Sequence, residues 1–321
     1  MVEVVRNGFV ESVHHGRIAV TAPGGSLIAA AGAVDAPFFP RSAVKPLQAV
    51  GMVRLGLDLT GELLALVCAS HSGEAFHVEG VRAILDRAGL GEEALQTPPD
   101  LPVDETARQA ALAAGRPPQP ITMNCSGKHA GMLCTAALNQ WPTEDYRHPE
   151  HPVQQGILAA IGDLTGDEPT ALAVDGCGAP LAAVTLAGVA RAFGRIARAA
   201  GRTPEARIAA AIRSHPDWVS GTRRDESALL RAVPGLVAKG GAEAVYAAGL
   251  PDGRGIAIKI MDGSQRARPV LLAGILRRLG FDHETVREQA APPVLGHGTP
   301  VGEVRAVLDG VLPEPGLPSR P

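Results

Sequence analysis

Apolar and polar positions alternate at both ends of the chain and follow a helical period through its middle. Near the N-terminus, residues 2–5, 16–21 and 26–31 read as strands, with Pro23-Gly24-Gly25 turning the chain between the last two. Toward the C-terminus, residues 244–249 and 255–262 repeat the pattern around Pro251-Asp252-Gly253, a hairpin signal. The spacing of Val270, Leu271, Ile275 and Leu276 then predicts a long helix. Between the two ends, residues 45–55, 76–88, 106–114, 131–138, 152–164 and 180–200 carry helical periodicity. Strands at both ends with helices between predict an α+β fold, in which one antiparallel sheet built from both chain ends packs against the helical middle. No internal repeat interrupts this plan. A single domain is expected over residues 1–311, followed by a flexible Pro-rich tail at 312–321.

Composition narrows the picture. With 321 residues the chain can bury a sizeable core, and at 45% hydrophobic but 3% aromatic residues that core must be built of Ala, Val, Leu and Ile. A formal net charge of -3 lacks the basic stripe of a nucleic-acid binder. No run of 18 apolar residues offers a membrane span. The start, Met1-Val2-Glu3-Val4-Val5-Arg6, places an acid where a secretory signal needs basic residues, so a cytoplasmic protein is expected. Its four cysteines, Cys68, Cys125, Cys134 and Cys177, are then expected as reduced thiols serving as core, active-site groups or metal ligands.

Five stations carry chemistry. Arg41-Ser42-Ala43-Val44-Lys45-Pro46 reads as Ser-x-x-Lys at a helix start, with Ser42 and Lys45 one turn apart on one face. A serine hydroxyl needs a neighbour to take its proton, and a lysine amine does so when burial or nearby positive charge disfavours its ammonium form. Cys68-Ala69-Ser70-His71-Ser72-Gly73-Glu74 offers two hydroxyls and an imidazole for proton relay or substrate binding, or else a helix cap at Ser72. Asn124-Cys125-Ser126-Gly127-Lys128-His129 lacks the upstream glycine of a phosphate loop but can present N–H groups and Lys128 to an anion. In Val174-Asp175-Gly176-Cys177-Gly178, Asp175 can hold a substrate ammonium, and Cys177 can be core, contact or ligand. Lys239-Gly240-Gly241, before the C-terminal hairpin, is either open backbone for a substrate or a solvated strand lysine. None of the cysteines forms a C-x-x-C pair, which argues against a finger-type zinc site.

The succession RSAVKP, CASHSGE, NCSGKHAGM, DGCGAP and AKGGAEAV resembles the type II, or Rhizobium-etli-type, L-asparaginases over about residues 3 to 310. That family is distinct from the threonine-nucleophile and self-cleaving types, and its fold is similar to serine β-lactamases and glutaminases. The resemblance implies hydrolysis of L-asparagine to L-aspartate and ammonia by two serine-lysine pairs. The first is Ser42 with Lys45, and the second is Ser70, or its competitor Ser72, with Lys239. It further implies a zinc site at Cys125, Lys128 and Cys177 that assists substrate binding, no organic cofactor, and a homodimer. Substrate contacts are expected from Arg41, His71, Ser72, Asp175, Gly176, Gly240 and Gly241. Gly240 departs from related folds, which carry Ser or Thr after the lysine, and this strand therefore lacks their hydroxyl.

The mechanism these residues suggest begins with Ser42 attacking the amide while Lys45 takes its proton, with Ser70 and Lys239 relaying protons. The reverse assignment, with Ser70 as nucleophile, stays open, as does a glutaminase or related serine-lysine amidase. From another class, the rival is a non-catalytic zinc- or amino-acid-binding protein, which would need neither pair.

Overall fold

The computed structural model describes residues 1–313. The expected tail lies almost wholly outside them. The chain opens with β1 (Val2–Arg6), β2 (Phe9–His14), β3 (Gly16–Thr21) and β4 (Leu27–Ala31). After the tight turn Arg41–Val44 come α1 (Lys45–Arg54), α2 (Gly61–Val67), α3 (Ala75–Arg87), α4 (Glu105–Ala113), α5 (Ser126–Leu138) and α6 (Pro152–Thr165). A small hairpin, β5 (Leu172–Val174) and β6 (Pro180–Ala182), precedes α7 (Leu186–Arg198), α8 (Pro204–Ser214), α9 (Pro216–Val219) and α10 (Asp225–Ala232). The chain closes with β7 (Val237–Gly241), β8 (Val245–Gly249), β9 (Gly255–Ile260), α11 (Ala267–Arg278), α12 (Glu284–Ala290), β10 (Pro293–Gly296) and β11 (Thr299–Ala306).

The fold is α+β, with helices packed on antiparallel sheets. Both chain ends do meet, but in two sheets rather than the single one expected. One has the order β10-β11-β1-β2 and the other β4-β3-β9-β8-β7. The missed strand β2 explains the difference. Asn7 and Gly8, at φ 47° and 80°, turn β1 back on itself, as an Asn-Gly pair favours. That hairpin and β11 engage both edges of β1, leaving β3 to pair with β9 in a separate sheet. A second correction concerns residues 180–200. Pro180–Ala182 is strand β6, and α7 starts only where the Thr185 hydroxyl accepts the Gly188 N–H at 2.9 Å.

The larger sheet is covered on both faces. Side chains alternate along β8, so Tyr246 points to one side, where the Arg268 guanidinium of α11 sits 4.7 Å from its ring centroid. Gly249 points to the other, against α7. A Cβ at Gly249 would lie 2.0 Å from Phe193 O, and one at Gly255 would lie 1.8 Å from Ala190 O. These two glycines therefore let the backbone of α7 lie directly on β8 and β9. The remaining core is aliphatic, as the composition requires, with Ile18, Val20, Leu47, Val50, Leu66, Val189, Ile256, Ile258 and Leu271 all buried.

Replacing Gly255 by Ala must push α7 off the sheet. The substitution is expected to cost about 3 kcal/mol and to lower Tm by several degrees in thermal unfolding. An unchanged Tm would contradict this account of the helix–sheet contact.

Candidate active site

The site forms where β7, the turn before α1, the end of α2 and the start of α5 converge. Strand β7 is the edge of its sheet. Its Lys239 pairs with Ala247 and its Gly241 with Val245, which places both on the α7 side, facing the helical layer. A Cβ at Gly241 would sit 2.9 Å from both Ala43 N and Pro40 O, so β7 presses on the turn that carries Ser42. Arg41 enters that turn at φ 54°, a conformation uncommon outside glycine. Pro46, in the first turn of α1, has no N–H to satisfy, and Lys45 opens the helix with its side chain buried.

Three lysine side chains are almost wholly buried here, and each has a different set of partners. Lys45 Nζ donates to Ala69 O at 2.6 Å and lies 3.0 Å from both Ser70 Oγ and Cys125 Sγ. Lys128 Nζ lies 3.3 Å from Cys177 Sγ. Lys239 Nζ donates to Glu226 Oε1 at 3.0 Å, Glu226 Oε2 at 3.1 Å and Gly240 O at 2.9 Å. Burial pulls Lys239 down to about 8, with Glu226 opposing the drop and Lys45 adding to it. The hydrogen-bonded serine-lysine pair is Ser70 with Lys45, and the ion partner of Lys239 is a carboxylate. Among the described residues, the half-buried Ser42 hydroxyl makes no hydrogen bond.

The CASHSGE segment separates its two serines. Ser72 Oγ is buried and donates to Ser220 O at 2.8 Å, so it is committed to the fold. It does not cap α3, whose preceding residue is Glu74. His71 is committed as well. The Gly73 N–H donates to its Nδ1 at 3.1 Å, and Ser126 Oγ, which itself donates to Ile121 O, lies 2.8 Å from its Nε2. This pattern requires the neutral tautomer with hydrogen on Nε2. Burial lowers its pKa well below the ordinary range, in agreement. His71 thus ties three loops together, with both nitrogens occupied.

At the mouth, Arg41 Nε donates to Asp175 Oδ1 at 2.7 Å, and the Gly176 N–H donates to the same oxygen at 2.9 Å. A cleft of about 420 Å³ opens onto Arg41, flanked by Phe39, Val174, Glu243 and Lys259. On the edge of β7, the Gly240 N–H is taken by Glu226 Oε2 at 2.6 Å. A Cβ at Gly240 would lie 2.5 Å from Arg268 Nη1 and 2.9 Å from Glu226 Oε2, so a larger residue here would have to displace those side-chain ends.

Cys125 and Cys177 are buried beside Lys128. Contact with the Cys125 thiol lowers the Cys177 thiol below the usual thiol range; burial opposes the drop and the charge of Lys128 adds to it. Burial opposes the charge on Lys128, but Cys177 and Cys125 outweigh it and raise the amine. His129 Nδ1 lies 2.7 Å from Tyr146 OH, while its buried Nε2 has no hydrogen-bond partner. Among the described residues no group of three or more His, Cys, Asp or Glu converges on a metal position. Two sulfurs suit a thiophilic cation such as zinc. Beside them stand the unpartnered His129 Nε2 and the Lys128 amine, which could bind only after losing its proton.

Sequence reasoning overlooked Glu226, whose place in the first turn of α10 reads as ordinary helix-end charge. It also passed over a compositional signal. Of thirty basic residues only four are lysines, namely Lys45, Lys128, Lys239 and Lys259, and three of these are buried in the site. A chain that uses arginine nearly everywhere else marks its lysines as amines needed for their chemistry.

The sequence matches the model of the L-asparaginase II family over residues 2–306. No curated protein matches it. Among solved structures, Mglu in its native form is similar at 15% identity and a TM-score of 0.39, over 90% of this chain and 67% of that one. A beta-lactamase from Mycobacterium bovis aligns at 14% identity and a TM-score of 0.41, over 78% of this chain and 88% of that one. EstCE1, a hydrolase with promiscuous acyltransferase activity, aligns at 13% identity and a TM-score of 0.40, covering 79% and 91% respectively. The family match spans every station of the site and nearly the whole described chain, and on that ground the protein belongs to the L-asparaginase II family.

Proposed function

We propose that this amidohydrolase converts L-asparagine to L-aspartate and ammonia. The observation that carries the reading is the Arg41–Asp175 ion pair at 2.7 Å, one residue from Ser42 and at the mouth of a buried group of amines. An ion pair of this kind is a template for a zwitterion. An α-amino acid replaces it by giving its carboxylate to Arg41 and its ammonium to Asp175, so both protein charges remain paired. The side-chain amide is then directed inward, toward Ser42.

In this reading Ser42 Oγ attacks the amide carbon and its proton passes to Lys45, one helical turn away. Ser70, 3.0 Å from Lys45 Nζ, carries the proton onward. The tetrahedral oxyanion is met by N–H groups of the Ser42 turn, because Glu226 already holds the Gly240 N–H. Ammonia leaves, and water hydrolyses the β-aspartyl ester. The Ser70–Lys45 hydrogen bond favours a second reading, in which Ser70 is the nucleophile. L-Glutamine differs by one methylene, a difference worth ~1–3 kcal/mol, so a glutaminase side activity is expected.

Zinc, where bound, would be held by Cys125, Cys177 and the deprotonated Lys128 amine. It would supply positive charge beside the substrate, not an activated water. The donors lie next to Lys45 through Cys125, at 3.0 Å, so the ligand residues also pack against the base. A homodimer is carried over from the resemblance, and sedimentation of the purified chain measures it.

Ser42→Ala is expected to lower kcat for ammonia release by at least about a thousandfold with Tm unchanged. Ser70→Ala is expected to retain the acylation of Ser42, visible by mass spectrometry as a trapped β-aspartyl ester. An ester found on Ser70 in the Ser42→Ala variant would establish the second reading. Chelation is expected to raise KM for L-asparagine with little change in kcat, and Cys177→Ser to abolish zinc binding measured by elemental analysis. Loss of kcat at saturating substrate on chelation would contradict that role.

A further inference from the structure

Glu226 has no part in the chemistry above, yet it holds Lys239 in place. Its carboxylate is buried among α10, β7 and α11. It accepts from Lys239 Nζ at 3.0 and 3.1 Å and from the Gly240 N–H at 2.6 Å. The remaining contact of Lys239 Nζ is Gly240 O at 2.9 Å. Each of these partners can only accept. An ammonium, with three hydrogens and no lone pair, matches such a set, whereas a neutral amine would aim its lone pair at a carbonyl or carboxylate. The contacts of Lys45 differ in kind, since Ser70 and Cys125 can each donate or accept.

Two further features keep the carboxylate available to Lys239. Arg268, the nearby cation on α11, is occupied by Asp225 at 3.0 and 3.1 Å. Gly240 leaves open the space that a side chain would fill, and a Cβ there would press on Glu226 Oε2 at 2.9 Å. The Lys-Gly-Gly sequence therefore leaves room for the acid beside Lys239.

We propose that Glu226 is a positioning residue that keeps Lys239 as a fixed ammonium, so that Lys239 serves the amidase reaction as charge and proton donor. This deepens the serine-lysine reading and rests on it. The charged and titratable groups around Lys239 are Glu226 of α10, Arg268 of α11, Lys45 of α1 and Cys68 after α2. With Lys239 near 8, its ammonium is the major form at neutral pH and is lost as pH rises through that value.

The test uses the intact chain with lysine labelled at 13Cε. Four lysine signals are expected, and that of Lys239 is identified by its loss in Lys239→Arg. In the wild type at pH 7 the Lys239 shift should be that of an ammonium. Glu226→Gln keeps an acceptor for the Gly240 N–H but removes the charge. It should move both the Lys239 titration and the alkaline limb of kcat/KM down together, by about one to three pH units. Glu226→Asp, which keeps the charge, should leave the limb in place even where kcat falls. The proposal is overturned if wild-type Lys239 is neutral at pH 7. It is also overturned if Glu226→Gln and Glu226→Asp lose activity equally at every pH with no shift of the limb. Should Glu226→Gln fail to fold, the wild-type signal decides alone. Failure of the parent reading is separate, because turnover surviving in both Ser42→Ala and Ser70→Ala would remove the serine-lysine mechanism whatever form Lys239 takes.

Discussion

Everything at the centre of this protein answers to the difficulty of keeping three amines out of water in one place. An unpaired buried ammonium is strongly disfavoured, and three close together also repel one another. The fold meets each differently. Lys128 is set against the Cys177 sulfur, Lys239 against a carboxylate, and Lys45 against a carbonyl, a hydroxyl and the Cys125 sulfur. Only the last set tolerates an amine with or without its extra proton. The division of chemical labour follows from this difference in partners, more than from distance along the chain.

The surrounding architecture makes that arrangement rigid. Glycines bring backbone against backbone at two levels. Gly249 and Gly255 seat α7 on the large sheet, and Gly241 seats β7 on the turn carrying Ser42. The edge of β7 is closed by a carboxylate, which both orders the strand and removes an open N–H from reaction chemistry. His71, Ser72 and Ser126 stitch the loop after α2 to the segments at Ile121 and Ser220. They resemble relay groups in sequence and serve as fasteners in space.

The fold class and most helices were legible because period and turn residues agree there, as in β8 and β9 around Pro251-Asp252-Gly253. Strand β2 was not, because its side chains are exposed on an edge and show no apolar face, although Asn7-Gly8 announced the hairpin. Residues 180–200 misled because a proline that opens a strand looks like one that opens a helix. The site residues were legible as stations, since short Gly- and Ser-rich motifs stand out among helices. Their hydrogen bonds were not. Ser-x-x-Lys spacing predicts neighbours within one helix, whereas the hydrogen bond of Lys45 reaches across to a loop 25 residues away. Glu226 carried no signal, because one acid in a first helical turn is ordinary.

The scarcity of lysine has a consequence for how the molecule meets alkaline solution. Arginine supplies the other twenty-six basic side chains, and guanidinium groups hold their charge well beyond pH 12. Between neutrality and that limit the surface cations form a nearly constant background, with Lys259 as the one lysine that is not fully buried. Proton release over this range is therefore left to a small number of groups, Lys239 of the site among them. Added alkali changes the charge of this molecule at few places, and one of those lies beside the reacting groups.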